Sequence, residues 1–157
     1  MVGVIRQRET NPAKIWLRGY LDEKARMESL MRIIDDLNEL AQRATSRITA
    51  TRLSGTGGHG GFENTIIKKT DAEQELQKIV SHIHETLLAR EVMIARLEDP
   101  LQRQVLTLRY LEGKKWEKVA VDIHYEKTQV YEMHGKALRQ IGAWMLETSK
   151  ATMPNHE

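Results

Sequence analysis

An all-α fold follows from three features of this 157-residue chain. Apolar residues recur at three- and four-residue steps through two long stretches and a run of shorter ones, with no βαβ alternation. Charged residues make up 29% of the chain and aromatic residues 5%, a balance that favours long solvent-exposed helices over a large globular core. Asn11-Pro12 and Asp99-Pro100 stand where helices should begin, as a capping side chain followed by proline at the first helical position.

The first element opens at Asn11-Pro12. Leu17, Leu21, Met27, Leu30, Met31, Ile34, Leu37, Ala41, Ala44 and Ile48 mark one face, with Arg, Asp and Glu on the other. At 1.5 Å per residue such a helix spans roughly 50 Å. Its apolar stripe needs a partner. Leu53 to Gly61 carries five glycines and breaks the pattern, so a Gly-rich loop is expected over 53–63. A second periodic stretch runs from about Asn64 or Thr70 to Leu97, through Ala72, Leu76, Ile79, Ile83, Leu87 and Met93 or Ile94. Residues 12–98 are thus expected to form a long antiparallel helical hairpin, coiled-coil-like, that joins copies into a homo-oligomer. Residues 1–52 carry 10 Lys/Arg against 7 Asp/Glu, residues 53–99 carry 5 against 8, and residues 100–157 carry 9 against 7. The opposite signs of the first two segments suit helices lying side by side, as does simple solvation of two polar faces.

Asp99-Pro100 is the sharpest boundary. Gln102 stands where a capping box places its second member, Leu101, Val105, Leu108 and Leu111 form a face, and Gly113 ends the helix. The next helix starts at Trp116, with Lys115 as a poor cap, and repeats at Val119, Ala120 and Ile123. A break at His124-Tyr125 follows, and then Val130, Met133, Ala137, Leu138 and Ile141. This spacing predicts a three-helix domain over 99–148 whose last two helices pack steeply across a tight turn, leaving the final helix one face free for a major groove. Its core is expected at Trp116, Val119, Ile123, Val130, Met133, Leu138 and Ile141, closed by Leu108 and Leu111. Of two glycines inside the last helix, Gly135 is expected at a close helix contact and Gly142 on the surface. The polar tail 149–157, with Pro154, is expected to be disordered.

The runs Leu106-Thr107-Leu108-Arg109-Tyr110-Leu111-Glu112-Gly113, Trp116-Glu117-Lys118-Val119-Ala120, Val130-Tyr131 and Lys136-Ala137-Leu138 resemble the promoter-binding fourth region of bacterial sigma factors. The likeness is to the version found in small phage and prophage proteins. With the helical hairpin before it, the resemblance covers roughly Ile15 to Leu146 and extends to phage late-gene transcriptional activators of the RinA and ArpU kind. It implies a sequence-specific DNA-binding regulator of phage or prophage genes, with double-stranded DNA and host RNA polymerase as partners. By resemblance, Lys127, Thr128, Gln129 and Glu132 match base-reading positions, and Tyr131 and Lys136 match backbone-side positions. The residue types suit that work: Gln bonds adenine, Lys meets guanine acceptors, Thr offers a hydroxyl and a methyl. His124 fills a turn position usually given to Gly, and Glu126 one usually given to a small capping hydroxyl. Residues 1–99 resemble none of the segments by which a full sigma factor melts promoters. A packaging protein of the small-terminase kind and an adaptor that docks on RNA polymerase without touching DNA remain alternatives.

Several other chemistries find no support. The chain has no cysteine, which excludes disulfides and thiolate zinc sites and makes the cytoplasm the default expectation. No apolar run reaches the roughly 20 residues of a membrane span, and Met1 to Thr10 lacks a secretory apolar core. Gly55-Thr56-Gly57-Gly58-His59-Gly60 spells the dinucleotide fingerprint but follows a helical pattern rather than a strand, so it reads as a flexible loop. His82 and His84 point to different sides of a helix, while His124 and His134 are expected to serve a turn and a helix surface; no metal or cofactor is expected. Asp35-Asp36 and Glu98-Asp99 lack a neighbouring base or nucleophile, and the chain is not expected to be an enzyme.

Overall fold

The computed structural model describes residues 11–51 and 60–152. It is all-helical: α1 spans Pro12–Thr51, α2 Gly60–Ala95, α3 Pro100–Leu106, α4 Trp116–Ile123 and α5 Lys127–Thr152, with a π-helical turn at Thr107–Leu111. No strand occurs among the described residues, and no helix among them is long and apolar enough to cross a membrane. Helix α2 begins at Gly60, ahead of the expected Asn64. The expected Gly-rich loop therefore ends before residues 60–63, and the two leading glycines sit at the helix end, where their conformational entropy costs less than in an interior. The Gly55–Gly60 fingerprint lies outside the described residues except for Gly60. At the other end α5 continues three residues past Ser149, where the tail was expected to begin.

The chain divides into two compact units, one formed by the residues up to Asp22 with those from Glu85 onward, the other by Glu23–His84. The division falls inside both long helices, away from Asp99-Pro100. In the Glu23–His84 unit the α1 and α2 segments run in opposite directions, since Arg26 meets Glu75 at 2.6 Å while His82 lies 3.4 Å from Glu23. Only Ile34 and Ile83 are buried there among the described residues, and Met31, Ile33, Leu40, Ile66, Ile67 and Val80 stay exposed. An open groove near the Gly-rich segment is lined by Gln42, Thr45, Thr49, Phe62, Ile66 and Lys69, among others.

The other unit holds two apolar clusters. Val105, Leu108, Val119, Ala120, Ile123 and Val130 form one, flanked by Trp116 and Met133. Ala13, Leu17, Ile94, Leu97, Leu106, Tyr110, Ala137, Leu138 and Ile141 form the second, with Leu111 against it. The single core expected for 99–148 is therefore split: Leu138, Ile141 and Leu111 belong with the ends of α1 and α2. Gly142, expected on the surface, is buried, and a Cβ there would sit 3.5 Å from Asn11 Oδ1. Gly135, expected at a close contact, faces only the Arg139 guanidinium at a similar distance.

Local chemistry accounts for the helix ends. Asn11 Oδ1 accepts from Ala13 N at 2.9 Å and Asp99 Oδ1 from Leu101 N at 2.8 Å, each satisfying an orphan first-turn donor. Arg103 donates to the carbonyls of Leu97 and Glu98 and so ties the end of α2 to α3. The buried Arg90 donates from Nε to the Trp16 carbonyl at 2.9 Å, and its guanidinium lies over the Trp16 and Tyr20 rings. Gly19 gives it room, since a Cβ there would come within 3.2 Å of Arg90 Nη2.

Candidate nucleic-acid interface

The site residues sit on α5, and three devices aim that helix. The first is the π turn. Glu112 N reaches back to Thr107 O and Lys114 N to Leu108 O, and Gly113 at φ 71° reverses the chain into α4. The second is His124, which caps α4 in the left-handed region at φ 60°, ψ 41°. A histidine tolerates that region better than a β-branched residue would, so the departure from Gly is accommodated. The third is a ring cluster. Tyr110 stacks on His134 at 5.7 Å, and Trp116 meets both His134 and Tyr131 edge-on, at 4.7 and 5.1 Å. Arg109 lies over Trp116 at 4.9 Å and donates to the Lys114 carbonyl.

His134 is consequently not a surface residue of α5. Burial first, then the charges of Lys14 and Arg109, push its pKa down to about 4, while burial pushes Tyr110 up to about 12. Near neutral pH both rings are uncharged. The Tyr110 hydroxyl and His134 Nε2 share a hydrogen bond across 2.8 Å. This bond joins the π turn to the middle of α5.

Electrostatics on the α4 side are largely internal. Asp122 takes Lys118 at 2.8 Å and Lys114 at 3.0 Å, and these two hydrogen bonds hold its carboxyl below the usual range. Lys114 also reaches Glu112 at 2.9 Å, and its two carboxylate partners raise its pKa. Lys127 pairs with Glu117 at 2.6 Å; the bond raises the lysine and lowers the carboxylate.

All six residues singled out from the sequence are exposed, yet they separate into two sets. Lys127 is held by Glu117. Gln129 Oε1 accepts from the Glu126 amide at 3.2 Å, the return half of a capping box on α5. Tyr131 leans on Trp116. Thr128, Glu132 and Lys136 have no ion pair or side-chain hydrogen bond among the described residues. At 3.6 residues per turn they share an arc of about 100° with Gly135 and Arg139, turned away from Val130, Ala137 and Ile141. Arg139 is a cation on this outward stripe that the sequence reading passed over; its seven-residue step from Glu132 was the available signal. The arrangement offers a solvent-facing polar stripe with one hydroxyl, one carboxylate and two cations. No family model, curated protein or solved structure matches the chain.

Proposed function

We propose that the chain is a sequence-specific double-stranded-DNA-binding regulator of phage or prophage transcription. In this reading α4, the turn at His124 and α5 act as a helix-turn-helix, and α5 enters the major groove. The paired long helices act as a hairpin that joins copies or touches RNA polymerase. One observation carries the reading: α5 keeps a polar stripe, Thr128 to Arg139, outward and unpartnered while three separate contacts fix its orientation. Thr128 and Glu132 read base edges, Lys136 and Arg139 meet phosphates, and the first-turn amides of α5 face the backbone. The paired Lys127 and the capping Gln129 hold the start of the helix in place.

The test is retention of fragments of the source genome at two salt concentrations, with particle mass recorded alongside. A discrete fragment held at the higher salt by a monomer or dimer supports the regulator, and a ring-sized particle supports a packaging role instead. Absence of salt-resistant binding overturns the DNA reading. One observation favours the second reading, an adaptor docking on RNA polymerase: Glu112, Glu117 and Asp122 already neutralise Lys114, Lys127 and Lys118 beside α5.

A further inference from the structure

Granting that α5 reads DNA, we infer that Glu132 selects a cytosine, and that it does so by exclusion, making binding sensitive to methylation of that cytosine's exocyclic amine. Glu132 lies in the middle of the outward stripe, between Thr128 and Lys136, and it is exposed. Lys136 stands one turn further along the same helix, the usual distance for an ion pair, yet no such pair forms. The carboxylate therefore faces outward with all its acceptor capacity unused.

An ionised carboxylate only accepts hydrogen bonds. In the major groove two base groups donate, the cytosine N4 amine and the adenine N6 amine. The adenine amine sits beside N7, an acceptor that repels a carboxylate and suits an amide such as Gln instead. Cytosine presents its amine beside a C5–H edge. Glu132 thus has one good partner among the four bases, and phosphate repulsion penalises every site that lacks it. That penalty separates this group from Lys136 and Arg139, which attract all sequences alike. Methylation at N4 sharpens the distinction. One amine hydrogen stays in the Watson–Crick pair, so the methyl replaces the hydrogen that faces the groove, and the donor is gone. Methylation at C5 leaves the donor in place.

The full-length chain is titrated with its selected duplex in which each cytosine in turn is unmodified, N4-methylated or C5-methylated. The expected result is a loss of about tenfold in affinity or more on N4-methylation of one particular cytosine of the site, one base contact's worth of discrimination. C5-methylation there changes little. Glu132→Ala removes the N4 effect and binds random duplex severalfold more tightly than the native chain. Glu132→Gln keeps the shape and shifts the preference at that position toward adenine. Native binding that is sequence-specific but indifferent to N4-methylation at every cytosine, with Glu132→Ala equally selective, overturns this inference and leaves the DNA reading standing. Failure of the native chain to prefer any duplex overturns both.

Discussion

The two compact units draw on the same long helices and bury them very differently. In the unit that carries α3 to α5, Leu17, Val105, Leu106, Val119, Val130 and Ile141 are sealed from solvent. Among the described residues of the Glu23–His84 unit no side chain is sealed to that degree, although the apolar residues of α1 are as regular there as before. The contrast comes from geometry. One helix covers a single strip of its neighbour, whereas a stripe containing Ile33, Leu37, Ile34 and Met31 wraps about half the circumference of α1. Only where α3, the π turn and α5 meet the start of α1 and the end of α2 does the stripe find further cover.

The largest expected effect tests that contrast directly. Leu106→Ala removes a sealed side chain beneath α5 and should destabilise the protein by about 2–5 kcal/mol. Chemical denaturation should show the loss as an earlier cooperative transition in the unit that carries α5. An early loss confined to α1 and α2 signals between Glu23 and His84 would break the division.

Next comes the ring cluster, which makes the same unit acid-sensitive. His134 titrates near 6.5 when unfolded and at about 4 when folded, so the unfolded chain binds the extra proton between those values. Stability is complete above about pH 6.5, falls as the pH drops toward 4, and is lost by at most about 3 kcal/mol. Thermal unfolding of the native chain and of His134→Gln across that window checks the sign: the variant's curve should be flatter. Tyr110→Phe removes the hydrogen-bond partner of His134 Nε2 and should move the apparent histidine pKa seen by NMR, upward where the hydroxyl is the donor and downward where Nε2 is.

Much of this architecture was legible in the sequence, and the failures have physical causes. Helix positions and the starts at Asn11 and Asp99 follow from periodicity and caps, both local properties. The left-handed turn was readable because His124 stood where a glycine belongs. Cluster membership was not readable. Leu138 and Ile141 carry the same spacing as Val130 and differ only in which neighbour the fold brings up, the chain ends near Leu17 and Leu97. The π turn leaves no mark on apolar spacing over five residues. His134 looked like a polar surface residue because its partners, Tyr110 and Trp116, lie 24 and 18 positions upstream. The site residues were found as a set, but Gln129's bond to the Glu126 amide and Lys127's to Glu117 split that set in a way residue type alone does not encode.

A smaller effect separates capping from core. Asp99→Ala removes the acceptor for Leu101 N and should lower stability by about 1 kcal/mol, with Asp99→Ser recovering most of it. Gln129→Ala, losing an exposed capping bond, should move the melting temperature less and should leave sequence discrimination intact. A Gln129→Ala protein that melts normally but reads DNA indiscriminately would assign that side chain to bases after all.

The smallest effect bears on what the thinly buried unit is for. Leu40 is 50% exposed, so Leu40→Ala should change the stability of an isolated chain by no more than about 0.5 kcal/mol, while Ile34→Ala, at a buried position, should cost several times that. The comparison is sharpest as a function of protein concentration. If the stripe through Ile33 and Leu40 pairs copies, unfolding of the native chain depends on concentration, because association adds stability by mass action. The Leu40→Ala variant then loses that dependence along with the larger particle. If unfolding is independent of concentration and Leu40→Ala is silent throughout, the long helices carry no self-association through this stripe, and α5 meets its site as a single copy.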